Sequence, residues 1–250
     1  MWPPSRPPRG WARSTPSCSG LLKPGDHLIA QKALYGGTAA MINDLASRFG
    51  IAVTHVPGDD PAALRAAVRP ETRLVYLETI ANPVCQVADL PAMCAAAKEL
   101  GLVSVVDNTF ASPILCRPLE HGADIVVHST TKYLSGHTDV LGGIAVFAAD
   151  ELYRKVWHYA IELGSTPDPF AAWLTLRGMQ TLPLRMERHC ANTRVLATRL
   201  AGHPAVSAVH WPGLLRQHAP RTSGAYKLIA TSVGRGVRLR PRRERKTQPR

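Results

Sequence analysis

Three apolar stretches of the chain run into residues that can do chemistry. RLVYLE ends at Glu78 and leads to Asn82-Pro83; LVSVVD ends at Asp107, followed by Asn108 and Thr109; DIVVH ends at His128 and leads into Ser129-Thr130-Thr131-Lys132. An acid at the end of an apolar strand is costly unless it meets a cation. A lysine beside a low-dielectric crevice can become a nucleophile toward carbonyls. Hydroxyls and backbone N–H groups in a tight turn can cradle a phosphate. A carbonyl-reactive amine, an acid for a pyridinium nitrogen and a phosphate cradle are together what pyridoxal phosphate (PLP) requires. Each group also has a plainer reading: a strand-terminal Asp as a cap or turn former, a Lys in water, an Asn-Pro as a turn. On residue types and spacing alone, both readings stand.

These groups converge only if the strands that carry them lie side by side and parallel. The hydrophobic pattern predicts such an arrangement. His27–Gln31 is a short apolar segment, followed by a Gly-Gly turn and an amphipathic stretch over Thr38–Phe49. Strands are expected at Ile51–Val56, Arg73–Glu78, Leu102–Asp107, Asp124–His128 and Gly142–Phe147. Helices are expected at Asp60–Val68, opened by Asp60-Pro61, and at Asp89–Leu100, capped by Asp89. Strands alternating with helices of this size indicate βαβ units, hence an α/β fold with a mainly parallel sheet covered on both faces. In such a sheet ligands sit beyond the carboxyl ends of the strands. The pattern then turns helical to about Leu200, and His203–Trp211 is expected to open a second domain as a strand.

Composition narrows the function classes. The net charge of +12 suggests a polyanion partner, but residues 25–215 hold 15 Lys/Arg against 17 Asp/Glu, so the basicity belongs to the ends. The run Arg235–Arg250 could contact phosphates, although a solvated, unfolded tail is the simpler reading of a like-charge block. Nucleic acid is therefore not the expected partner. No stretch approaches the run of about 18 apolar residues that marks a membrane span. The Pro/Arg-rich start lacks the apolar region of a secretory signal. Cys18, Cys85, Cys94, Cys116 and Cys190 are scattered without a C-x-x-C pair, which argues against structural disulfides and for a reducing, cytoplasmic setting. His189–Cys190 lacks further ligands at metal spacing, so no metal is expected.

The stretch VVDNTFASPILCRPLEHGADIVVHSTTKYLSGHTDVLGG closely resembles the signature region of the trans-sulfuration (Cys/Met metabolism) PLP enzymes. That family includes cystathionine γ-synthase, the cystathionine lyases and methionine γ-lyase. The resemblance extends back through ETIANP and ALYGGT to LLKPGDHL, and forward through AAWLTLRGMQTLPLRMERHCANT to HPAVSAVHWPGL, covering about residues 21–214. It implies the large domain of a fold-type I PLP enzyme. It also implies elimination or replacement at Cβ or Cγ of a sulfur-containing or activated homoserine-type amino acid. Lys132 would hold the cofactor covalently and move protons. Asp107 would keep the pyridine nitrogen protonated. Ser129 and Thr131 would bind the phosphate, Tyr35 would stack on the ring and take a catalytic part in leaving-group chemistry, and Asn82 would meet the ring's 3′ oxygen. Thr109 would join the cofactor-binding residues beside Asp107, and Glu78 lies next to these groups without an assigned role. A homo-oligomer, dimer or tetramer, is implied as well. His128 and His137 receive no transferable role, and His128 reads as a strand-end histidine satisfied locally. Arg177 and Arg185–Arg188 read as a solvent-facing helix surface or a subunit contact.

The resulting division is a leader at residues 1–24, a PLP-binding domain at 25–185, a linking helix and domain start at 186–214, and an unfolded basic tail at 215–250. Family members carry a Ser-Gly-Met loop and a Tyr-x-Arg segment upstream, and an arginine for the substrate α-carboxylate downstream. No recognisable version of these occurs here. The expectation that follows is a shortened copy, either a weak enzyme or a catalytically impaired remnant.

Overall fold

The structure is a computed structural model that describes residues 20–213 and 238–241. Strands β1 (His27–Gln31), β2 (Ala52–Val56), β3 (Thr72–Glu78), β4 (Val103–Asp107), β5 (Ile125–Ser129) and β6 (Gly143–Phe147) form one sheet in the order β2-β1-β3-β4-β5-β6. All neighbours are parallel except β5 and β6, which are antiparallel.

Strand composition explains why both faces are covered. Leu28, Ala30, Leu74, Tyr76, Val105, Ile125 and Val127 face one way, packing with Met41, Ile42 and Leu45 of α1 (Gly36–Phe49) and Val156 of α5 (Asp150–Glu162). Their chain neighbours Ile29, Val75, Leu77, Val106 and Val126 face the other way. They meet Leu64 of α2 (Pro61–Ala67) and Leu90, Met93, Cys94, Ala96 and Ala97 of α3 (Leu90–Glu99). Side chains alternate between faces along a strand, so strands apolar at every position need a helical layer on each side. Fully burying one such Leu or Ile contributes about 1.5–3 kcal/mol.

The helices begin where the sequence places their caps. Asp60 accepts from the N–H groups of Ala62 (3.1 Å) and Ala63 (3.0 Å), and Asp89 accepts from Ala92 (3.4 Å). These bonds satisfy donors that a helix start leaves unpaired. The short α4 (Ser112–Leu115) and a 3-10 turn at Pro118–His121 join β4 to β5. Beyond β6, α5, α6 (Pro169–Met179) and α7 (Leu182–Ala201) follow in turn.

The strand expected at His203–Trp211 is β7 (Val206–His210), which pairs antiparallel with β8 (Arg238–Pro241). β8 falls inside the span expected to be an unfolded tail. Its residues do not look like a strand on their own; the open edge of β7 supplies the partner that makes them one. The rest of the basic segment and residues 1–19 lie outside the described residues. Among the described residues, no helix is long and apolar enough to cross a membrane.

Candidate active site

The chain runs from β1 outward to β2, then returns to the other side of β1 to form β3. This reversal leaves a crevice at the carboxyl ends of β1 and β3, the place where α/β sheets bind ligands. The parallel strands β3, β4 and β5 bring Glu78, Asp107 and Ser129 to that same edge.

Glu78 is the last residue of β3 and pairs in register with Asp107 of β4. It is 4% exposed. Its Oε1 accepts from the backbone N–H of Tyr35 at 2.8 Å, and its Oε2 from that of Asn82 at 3.2 Å. Its own N–H donates to Gln31 Oε1 at 2.9 Å. Burial first, and the neighbouring Asp107 second, push the Glu78 carboxyl up to about 8, while the two N–H donors pull it down. Burial raises Asp107 as well, opposed by the hydroxyl and N–H of Thr109. Two acids side by side in a poorly hydrated edge therefore call for a cation.

Thr109 connects this pair to the lysine segment. Its N–H donates to Asp107 Oδ1 at 2.8 Å, and its Oγ1 accepts from the N–H of Ser129 at 2.8 Å. Behind it, the fully buried Asn108 accepts from Thr79 Oγ1 (2.8 Å) and donates to the carbonyls of Ser112 (3.2 Å) and Cys116 (2.7 Å). The strand ends are thus tied to one another and to α4 by side chains.

After Ser129 the backbone enters a wide turn, Thr130–Leu134, closed by Ser135 N–H on the Thr130 carbonyl at 3.1 Å. Turns of this i→i+5 kind are frequent at functional sites. Lys132 leaves the helical region within it, at φ −97° and ψ −120°, and its side chain is exposed. The Thr131 hydroxyl accepts from Gly142 N–H at 3.0 Å and donates to the Gly142 carbonyl at 3.3 Å. Its single proton is thereby directed at protein, so a phosphate would have to draw it away from the longer contact.

One arginine expectation needs correction. Arg185 is not a solvent-facing residue. Its guanidinium donates to the carbonyls of Tyr133 (2.8 Å), Leu134 (3.5 Å) and Gly178 (2.7 Å), and its Nε to Thr181 Oγ1 (3.0 Å). It clamps the segment that follows Lys132 to α6 and α7. Nothing in LPLRM distinguishes such an arginine from an exposed one, because two of the carbonyls it grips, those of Tyr133 and Leu134, lie 52 and 51 residues away in sequence. Arg177 does lie exposed, over the Trp173 ring at 5.6 Å. His128 is buried; its ring meets the Asn108 backbone, while its Nδ1 has no hydrogen-bond partner among the described residues. Burial holds it down to about 4, hence neutral. His137 is exposed and its Nδ1 meets the Ser135 carbonyl at 2.6 Å.

Tyr35 and Asn82 are joined through Glu78; Asp107, Thr109 and Ser129 form a second chain that leads to Thr131 and Lys132. Among the described residues, no cluster of three or more His, Cys, Asp or Glu could hold a metal ion. The donor set fits pyridoxal phosphate: an amine for the aldehyde, a desolvated acid for the ring nitrogen, and hydroxyls and N–H groups for phosphate.

The family of Cys/Met metabolism PLP-dependent enzymes matches residues 8–228. The chain belongs to that family. It is 48% identical over 196 residues to L-methionine gamma-lyase of Porphyromonas gingivalis, covering 77% of this chain and 49% of that relative. It is 45% identical over 205 residues to cystathionine gamma-synthase of Mycobacterium leprae, covering 82% of this chain and 53% of that relative. The chain thus spans about half the length of these relatives. Among solved structures, cystathionine gamma-lyase from Lactobacillus plantarum, complexed with L-serine, superposes at a TM-score of 0.81 with 36% identity, over 91% of this chain and 57% of that one. Cystathionine gamma synthase from Xanthomonas oryzae pv. oryzae gives 0.82 with 38% identity, over 92% and 59%. The fold is that of these PLP enzymes, as the motifs implied.

Proposed function

We propose that this chain is the cofactor-binding core of an enzyme that eliminates or replaces a group at Cβ or Cγ of a sulfur-containing or activated homoserine-type amino acid. The reaction is that of a C–S lyase or a γ-replacement synthase. The observation that carries the reading is the hydrogen-bonded chain from Asp107 through Thr109 to Ser129, three residues before Lys132. Bound there, pyridoxal phosphate supplies an electron sink for charge that develops at the substrate's α-carbon.

The residues divide the remaining work. Lys132 Nζ would hold the cofactor at its aldehyde carbon and, with substrate bound, would act as the base that takes the Cα proton and as the acid that gives protons back. The Asp107 carboxylate holds the proton on the ring nitrogen, and Thr109 fixes that carboxylate in direction. Ser129 and Thr131 meet the phosphate, Tyr35 covers the ring, and Asn82 meets its 3′ oxygen. We further read the protein as a cytoplasmic homo-oligomer. The buried thiols at Cys94 and Cys116, which form no disulfide, suit a reducing compartment. Exposed apolar side chains on α5–α7, among them Trp157 (50%), Phe170 (65%), Leu176 (65%) and Leu184 (69%), suit a contact between copies.

Borohydride reduction of the protein loaded with PLP, followed by peptide mapping, tests the assignment. The label is expected on Lys132; a label on Lys23, Lys32, Lys98 or Lys155 overturns it. Release of a 2-oxo acid from methionine, cystathionine or an O-acylhomoserine, or formation of a thioether from an O-acylhomoserine and cysteine, then identifies the reaction, and the absence of all of these in the loaded protein refutes the proposed activity.

A further inference from the structure

We infer that Glu78 is a positioning residue whose two carboxylate oxygens tie the Tyr35 turn and the Asn82 loop into a single wall of the cofactor crevice. The inference rests on the proposed function, which puts Tyr35 and Asn82 against the cofactor ring.

The geometry is specific. One oxygen takes the Tyr35 N–H and the other takes the Asn82 N–H, so each segment has its own acceptor. Tyr35 lies 43 residues from Glu78 in sequence and Asn82 only four, so no local turn could hold the two at a fixed distance. Tyr35 is the N-cap residue of α1 and makes no side-chain cap bond; the tie to Glu78 therefore sets where that helix, and the Tyr35 ring with it, begins. Glu78 is itself anchored at three points. Its N–H is held by Gln31, its strand is paired on both sides, and its carboxylate stands in register with Asp107.

Packing does not require an acid here. The position is 4% exposed and sits next to a second carboxylate, where an apolar side chain of similar volume would avoid the cost of desolvating charge. The acid is retained where two backbone N–H groups from separate segments need two acceptors, which a carboxylate provides and an amide or an apolar group does not. Any cation that meets Asp107 relieves the repulsion between the two acids. Occupation of the ring-nitrogen site therefore strengthens the hold of Glu78 on Tyr35 and Asn82, and the wall firms up when the cofactor arrives.

Pulsed amide hydrogen exchange on the full chain at about pH 9, where the Glu78 carboxyl that the fold holds up at about 8 is ionised, tests this with and without PLP, using wild type, Glu78→Gln and Glu78→Ala. In cofactor-free wild type the Tyr35 and Asn82 amides are expected to be protected, and PLP should slow them further. Glu78→Ala should release both by about tenfold or more, the size of a lost charge-assisted bond. Glu78→Gln, with one acceptor oxygen, should release one of them. The strand amides of Val105 and Val126 should keep their protection, and PLP affinity should fall in both variants. Unchanged exchange at Tyr35 and Asn82 in Glu78→Gln overturns the inference, as does a uniform rise through the sheet, which marks a merely structural residue. If Glu78→Ala does not fold, the near-isosteric Gln variant decides on the same two amides. Release of the amides with unaltered PLP affinity overturns the link to the cofactor while the proposed function stands. Failure of wild type to bind PLP defeats the proposed function and leaves the exchange result in cofactor-free protein to be judged by itself.

Discussion

Replacing Arg185 by Met should loosen the lysine turn more than it loosens the fold. The substitution keeps an unbranched apolar stem and removes the guanidinium. Two short charge-assisted bonds disappear, to the Tyr133 carbonyl at 2.8 Å and the Gly178 carbonyl at 2.7 Å, together with the solvent-exposed Nε bond to Thr181 Oγ1 at 3.0 Å and a contact to Leu134 at the 3.5 Å limit. A hydrogen bond from a charged donor contributes about 1.5–3 kcal/mol, which sets an upper bound of about 6 kcal/mol for the pair. Arg185 is only half-buried, so water can replace part of what is lost. The expected cost is therefore about 2–4 kcal/mol, a large share of the roughly 5–15 kcal/mol net stability of a domain. Urea unfolding of the cofactor-free chain measures it. Arg185→Lys should recover less than half, because one ammonium cannot fork across carbonyls on separate segments. Exchange at the Ser135 and Gly136 amides, which close the turn on Thr130 and Lys132, should quicken in Arg185→Met, and covalent PLP loading of Lys132 should slow. A Met variant within about 0.5 kcal/mol of wild type, the range of an inert surface change, would refute the clamp.

Two further outcomes follow from the same region. Because the folded state holds the Glu78 carboxyl up at about 8 against an ordinary value near 4.5, folding takes up a proton between those limits; stability of the cofactor-free chain should fall as pH rises through that window and level off above it, by up to about 5 kcal/mol at about 1.4 kcal/mol per pH unit. Asp107, also raised, adds to the same trend, and Glu78→Gln should flatten the slope of urea midpoint against pH; parallel curves for the two proteins would contradict the assignment. Gly178→Ala should cost at least about 1–3 kcal/mol, since its methyl would press on the Ser135 carbonyl and push α6 from the lysine turn. Thermal unfolding measures that cost, and an unshifted midpoint would show that the two segments are not in contact.

The alternation of apolar strands with capped helices made the α/β architecture legible, because burial on two faces leaves its mark at every strand position. Strand ends fell within a residue or two of the pattern, as at Arg73–Glu78 against Thr72–Glu78. The motif around Ser129–Lys132 pointed to the family because chemistry fixes residue type at fixed spacing along one segment. The antiparallel direction of β6 and the pairing of Arg238–Pro241 with β7 were not legible, since strand partners are chosen by edges far away in sequence.

The sequence by itself determined which groups end the strands, and therefore that an acid pair, hydroxyls and a lysine would share one edge. Only the tertiary structure decided what each does to the others. Glu78 had no assigned role in the sequence, because the Tyr35 amide that it accepts lies 43 residues away. Arg185 looked like one more helix-surface cation until its partners, 51 and 52 residues away, came into view. A residue's type sets which bonds it can make, but solvation and partners are properties of the assembled volume, and segments distant in the chain supply both.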